Sequence, residues 1–98
     1  MSKAFKARLL RRHEPAAGIV ELILTAPEPL DAVPGQFVEA VCGGGTLLRR
    51  PFSLAGVEGD EFRLVFRVVG PGTAALAALE PGDELDLLGP LGKPREPN

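Results

Sequence analysis

The chain has no tryptophan and no tyrosine, and its aromatic content is five phenylalanines in 98 residues. Platforms that stack the bases of single-stranded nucleic acid are built from such rings, so there is little material for one. A formal net charge of −2 argues equally against a protein held to phosphate backbones by bulk charge. Cys42 is the only cysteine, and neither an internal disulfide nor a four-thiolate iron–sulfur site can be built from one thiol. His13 is the only histidine. Primary spacing cannot turn one imidazole and one thiol into a Ser/His/Asp or Cys/His arrangement, so His13 reads as a surface residue, and no catalytic group or metal ligand is assigned. Nothing approaches the roughly 20 apolar residues of a membrane-spanning helix, and no apolar run follows the basic N-terminus in the manner of a signal peptide. A cytoplasmic protein is expected, with neither membrane nor nucleic acid as a partner.

Chain breakers, by contrast, are plentiful: ten prolines and twelve glycines cut the chain into short segments, which suits a β domain and disfavours a helical bundle. Period-two alternation recurs between them. Phe5, Ala7 and Leu9 alternate with Lys6, Arg8 and Leu10, and in GIVELILTA the residues Val20, Leu22 and Leu24 share one face. These predict two paired strands joined around HEPAAG. PEPLDAVPG carries three prolines and is a loop, since a ladder interior needs amide donors. QFVEAVC predicts a third strand, and RPFSLAG a short fourth that Pro51 confines to an edge or a strand start. EFRLVFRVV predicts a fifth, with Phe62, Leu64, Phe66 and Val68 on one face and Arg63, Val65, Arg67 and Val69 on the other. TAALAALE, residues 73–80, predicts a helix of about two turns opened by Thr73 and stopped at Pro81 and Gly82. DELDLLGPLG supplies a sixth strand and KPREPN a polar tail. The fold class that follows is all-β: a six-stranded antiparallel Greek-key barrel with one short α-helix between strands 5 and 6, because closure removes edges that so small a sheet could not protect. Residues 1–92 form the barrel domain and 93–98 the tail.

Charge is uneven along the chain. Lys3, Lys6, Arg8, Arg11 and Arg12 precede the first acid, Glu14, whereas residues 80–86 contain Glu80, Asp83, Glu84 and Asp86. A solvated face explains this; docking through the basic first strand is the other reading.

Two stretches have sharper chemistry. In RRPFS a guanidinium offers a planar fork of donors suited to phosphate, Phe52 an apolar face for a ring, and Ser53 a hydroxyl for a heteroatom. In GPGT the glycines let an anion approach the backbone, and the free amides at a helix start carry partial positive charge. Each has a plain structural reading, as a strand with surface arginines and as a turn with a helix cap. Together on one barrel they would provide a ring site and a diphosphate site, as a flavin dinucleotide requires. The glycine run CGGGT, residues 42–46, has no following lysine in the manner of a phosphate loop and reads as a hairpin turn.

The elements PGQFVEA, RRPFSLAG, FRVVGPGT and LEPGDELDLLGPLG, in that order, resemble the flavin-binding barrel of the ferredoxin–NADP reductase superfamily. Within it they are most similar to the electron-transfer subunits of B-type dihydroorotate dehydrogenases. The resemblance implies a non-covalently held FAD. It assigns the flavin phosphate to Arg50, the lining of the isoalloxazine to Pro51 and Phe52, and the redox-active ring edge to the Ser53 hydroxyl. Val65, Phe66 and Arg67 match positions flanking the adenosine side and the ribityl chain, and Gly72 and Thr73 match amides that cradle the pyrophosphate. Many family members have tyrosine where this chain has Phe52, so stacking can persist but a phenol hydrogen bond cannot. Members of the family continue past GPLG into a nicotinamide-binding domain, and the dihydroorotate subunits add a cysteine cluster; this sequence ends six residues later. The function implied is an FAD-binding electron-transfer module relaying electrons between a nicotinamide-binding partner and an acceptor protein. It would not complete a reaction alone. The alternative is a flavin-free barrel acting as a structural or protein-interaction module.

Overall fold

The computed structural model describes residues 3–33, 35–41 and 49–92. The glycine run at 42–46 and the tail at 93–98 lie outside them. The elements run β1 (Lys3–Ala16), β2 (Ile19–Thr25), β3 (Phe37–Val41), β4 (Arg49–Glu58), β5 (Glu61–Arg67), α1 (Pro71–Ala77) and β6 (Glu84–Leu91). The strands close into a barrel in the order β1-β2-β5-β4-β3-β6, with every described pair antiparallel. Sequence neighbours pair in three hairpins, and the crossovers that bring β5 to β2 and β6 to both β3 and β1 make the Greek key.

Alternation decides what fills the barrel. Ala7 and Leu9, Val20, Leu22 and Leu24, Val38 and Ala40, Phe52 and Leu54, Phe62, Leu64 and Phe66, and Leu85 and Leu87 point inward and form one buried cluster. Phe5 meets Phe62 edge-to-face, with ring centres 6.2 Å apart. Ile23 breaks the two-faced pattern. It is buried although it sits on the outer face, opposite Arg11 of β1 and Arg63 of β5. Register irregularities on β1, β3 and β4 give the strands the local bends that a small closed barrel needs.

Two sequence expectations shift. The helix starts earlier and ends sooner than residues 73–80: it covers Pro71–Ala77 with Gly70 as its cap residue. Proline is well suited to a first helical turn, where its missing N–H would have no partner anyway, and Pro71 opens the helix two residues ahead of Thr73. Thr73 therefore stands inside the first turn. Its hydroxyl accepts a hydrogen bond from Val69 N (2.8 Å) and donates to Gly70 O (3.3 Å), locking the turn before the helix. The first strand is also far longer than its period-two stretch, running on through Arg12 and His13 to Ala16. Part of the uneven charge of the sequence is balanced in space, because Lys6 lies opposite Asp86 and Arg8 opposite Glu84 across the β1–β6 ladder.

Candidate functional site

β4 and β5 part company at one end of the barrel. Their ladder runs from Glu58↔Glu61 to Leu54↔Leu64 and stops there. Residues 49–53 of β4 pair onward with β3, and residues 65–67 of β5 pair onward with β2. Among the described residues the two strands thus form an open seam, each held by its other neighbour. The amide of Leu54 donates to Gln36 O (2.9 Å) on the β3 side, so by strand alternation the main chain of Ser53 and Pro51 faces the seam. Pro51 accordingly costs no ladder bond. It satisfies the edge expectation locally, in a strand that is interior along the rest of its length.

Inside the seam, the rings of Phe52 and Phe66 meet edge-to-face at 5.5 Å and 63°. Both belong to the buried cluster, and they close the barrel where hydrogen bonds do not. On the outside, Pro51, Ser53, Val65 and Arg67 are all exposed, Val65 to 40%. The structure therefore splits the nine positions singled out in the sequence. Pro51, Ser53, Val65 and Arg67 offer side chains to solvent along the seam, and Arg50, which shares the face of Phe52 by alternation, is exposed near the start of β4, whereas Phe52 and Phe66 reach the seam from beneath.

Antiparallel pairing places the remaining two. β4 begins at the end of the barrel where β5 finishes, and from Arg67 only residues 68–70 intervene before α1. Arg50, Arg67 and the first turn of α1, with Gly72 and Thr73, therefore gather at the same end. Gly70 has φ 149° and open space where a Cβ would stand, so its backbone is accessible to an approaching group. Because Thr73 spends its hydroxyl on the turn, the donors that this turn can offer a ligand are the main-chain N–H groups of Gly72 and Thr73, which as early helical positions have no intrahelical acceptor.

Sequence reasoning missed Arg12, whose guanidinium reaches from β1 to the other end of α1 and donates from Nη1 to the carbonyls of Ala77 and Leu79, the latter at 3.0 Å. No local signal could have found it, for its partners lie more than sixty residues away. His13 is exposed, as expected, and lies against the Glu21 carboxylate, which also takes Arg63 Nη1 at 3.3 Å. A hollow of about 210 Å³ at the far end of the barrel, walled by Phe5, Pro29, Asp31 and Pro90 among others, holds none of the nine residues.

The fold of this barrel is shared with known structures. The Amycolatopsis cytochrome P450 reductase GcoB superposes on 98% of this chain with a TM-score of 0.84 at 31% identity, the match covering 30% of that protein. The barrel is of the ferredoxin-reductase type. An NADH-dependent reduced ferredoxin-NADP oxidoreductase matches 91% of this ferredoxin-reductase-type barrel and 33% of its own chain, with a TM-score of 0.81 and 30% identity. In sequence, the electron transfer subunit of dihydroorotate dehydrogenase B (NAD(+)) from Desulforamulus reducens is 42% identical over 95% of the chain, and that from Lysinibacillus sphaericus 36% over 94%. The chain spans 37% of the length of each of these curated relatives. No protein-family profile matches it.

Proposed function

We propose that this ferredoxin-reductase-type barrel is an FAD-binding electron-transfer module, with residues 1–92 as the cofactor domain. The observation that supports it most is the seam, where β4 and β5 part at the end of the barrel from which the chain enters α1, in a chain 42% identical to an electron transfer subunit. The residues fit the cofactor. Arg50, exposed at the start of β4, supplies a fork of donors to a flavin phosphate. The N–H groups of Gly72 and Thr73 receive the rest of the pyrophosphate. Pro51 presents a rigid apolar ring beside the isoalloxazine, and Ser53 sets its hydroxyl at the ring edge. Val65 and Arg67 flank the ribityl chain and the adenosine side, and Phe52 and Phe66 hold both strands at their spacing from within.

Bound flavin supplies the redox chemistry, taking up and releasing electrons. The protein binds and orients it. In this reading the module relays electrons between a nicotinamide-binding partner and an acceptor protein, in the cytoplasm. Among the described residues no helix is long and apolar enough to cross a membrane. The test is to titrate the purified protein with FAD while following flavin fluorescence. Saturable quenching in the micromolar range is expected, and its absence at tens of micromolar removes the reading.

A further inference from the structure

We infer that Phe37 is a further binding residue for the flavin, its ring forming an aromatic wall on the outer surface beside Ser53. This rests on the FAD reading above. Of the five phenylalanines, Phe52, Phe62 and Phe66 belong to the buried cluster and Phe5 packs against it, whereas Phe37 does neither. It is partly exposed, and no other described ring meets it. An aromatic side chain carries a large apolar face that is poorly placed in water, so one left outside the core is available to a ligand. Alternation fixes where it stands. Val38 and Ala40 are fully buried, so Phe37 faces outward, as Ser53 does between buried Phe52 and Leu54. Phe37 on β3 is the residue directly opposite Ser53 on β4. The hydrogen bond from Leu54 N to Gln36 O makes Phe37 and Ser53 a pair without mutual hydrogen bonds. Side chains of such pairs stand closest, with Cβ atoms about 4.5–5.5 Å apart. The ring therefore adjoins the hydroxyl assigned to the flavin's redox-active edge. Since Phe52 points into the barrel, Phe37 is also the aromatic side chain that the outer surface offers among the described residues.

Phe37 is held in place by its surroundings. On its other side β6 takes three steps, from Leu88 to Leu91, against two on β3, from Glu39 to Phe37, and irregularities of this kind re-aim side chains beside sites. Gly92 lies so close that a Cβ there would stand 3.1 Å from Phe37 Cε1 and 3.2 Å from Cδ1, so the ring rests on bare main chain. Gln36 clamps that main chain: its Nε2 donates to Gly92 O at 2.7 Å, and its Oε1 accepts from Val33 N at 3.1 Å. A ring already backed in this way can meet a ligand at little cost in side-chain entropy.

The experiment measures dissociation constants for FAD and FMN, which share the ring, in the wild type, Phe37→Leu, Phe37→Met and Phe37→Tyr. The temperature is one at which circular dichroism shows the variants folded. Phe37→Leu and Phe37→Met keep apolar bulk and lose the aromatic face, and they are expected to weaken both ligands alike, about fivefold. Phe37→Tyr keeps the face and should stay within about twofold of wild type. Collisional quenching of the bound flavin's emission by acrylamide should be more efficient in Phe37→Leu than in wild type, which a ring serving only the barrel would not produce. If the wild type binds FAD and Phe37→Leu matches its affinity within about twofold, or Phe37→Tyr loses as much as Phe37→Leu, the aromatic wall is overturned and the cofactor reading stands. The same holds if neither non-aromatic variant folds, for the ring then serves the barrel. If the wild type binds no FAD, both fall.

Discussion

Phe52 offers the sharpest test, because two roles for it predict opposite results. Its ring is 8% exposed, sits within the core cluster and makes an edge-to-face contact with Phe66 at 5.5 Å. Truncating such a residue removes its burial and leaves a cavity, which costs about 3–5 kcal/mol. For a domain near 100 residues that lowers the melting temperature by roughly 12 °C or more. Phe52→Leu keeps most of the apolar volume and forfeits chiefly the ring–ring geometry, about 0.5–1.5 kcal/mol. Urea unfolding monitored by circular dichroism gives both values, and FAD titration of the folded Phe52→Leu protein gives the affinity. A ring that works from inside the barrel predicts FAD affinity within about twofold of wild type. A ring stacked on the isoalloxazine predicts a much larger loss, since aromatic stacking on a base is worth about 1–3 kcal/mol, roughly fivefold or more in affinity. A loss of that size in Phe52→Leu, together with a stability cost below about 0.5 kcal/mol, refutes the placement.

Other substitutions probe the phosphate site and the backbone. Arg50→Ala should weaken FAD about tenfold in fluorescence titration and flatten its salt dependence, with Arg50→Lys intermediate because an ammonium lacks the planar fork; the exposed position should leave urea stability within about 0.5 kcal/mol. Gly89→Ala should cost about 2–4 kcal/mol by urea unfolding, since the residue has φ 152° and its Cβ would stand 3.0 Å from Val38 Cγ1 and 3.2 Å from Phe37 O. Gly56→Ala is the control, its nearest obstacle being Arg63 Cδ at an ordinary 3.7 Å, and it should leave stability equal or slightly raised.

The barrel was legible because each strand carries its inside and outside in plain alternation. Val20, Leu22 and Leu24, like Phe62, Leu64 and Phe66, fall on the inner face as the period-two pattern requires. The same alternation, applied to RRPFSLAG, puts Phe52 and Leu54 on the face opposite Ser53, so the inward ring was readable from the motif itself. Strand order was less accessible, since which strands meet across a crossover depends on packing of the whole chain. The helix start was set too late because Thr73 was taken as the opening residue, whereas Pro71 holds the first helical position, where its missing N–H costs nothing. Arg12 was illegible because what receives it comes from a segment remote in sequence.

The parted strands have a consequence for how copies of the protein treat one another. Any β segment with unclaimed amides and carbonyls is a template for a neighbour's strand, and natural sheets blunt such borders with proline, charge and brevity. Residues 49–53 have all three, in Pro51, in Arg49 and Arg50, and in a length of five residues. The guanidinium that would greet an anionic ligand is thus also a guard against self-association, and a change such as Arg50→Val with Pro51→Thr trades away solubility along with recognition.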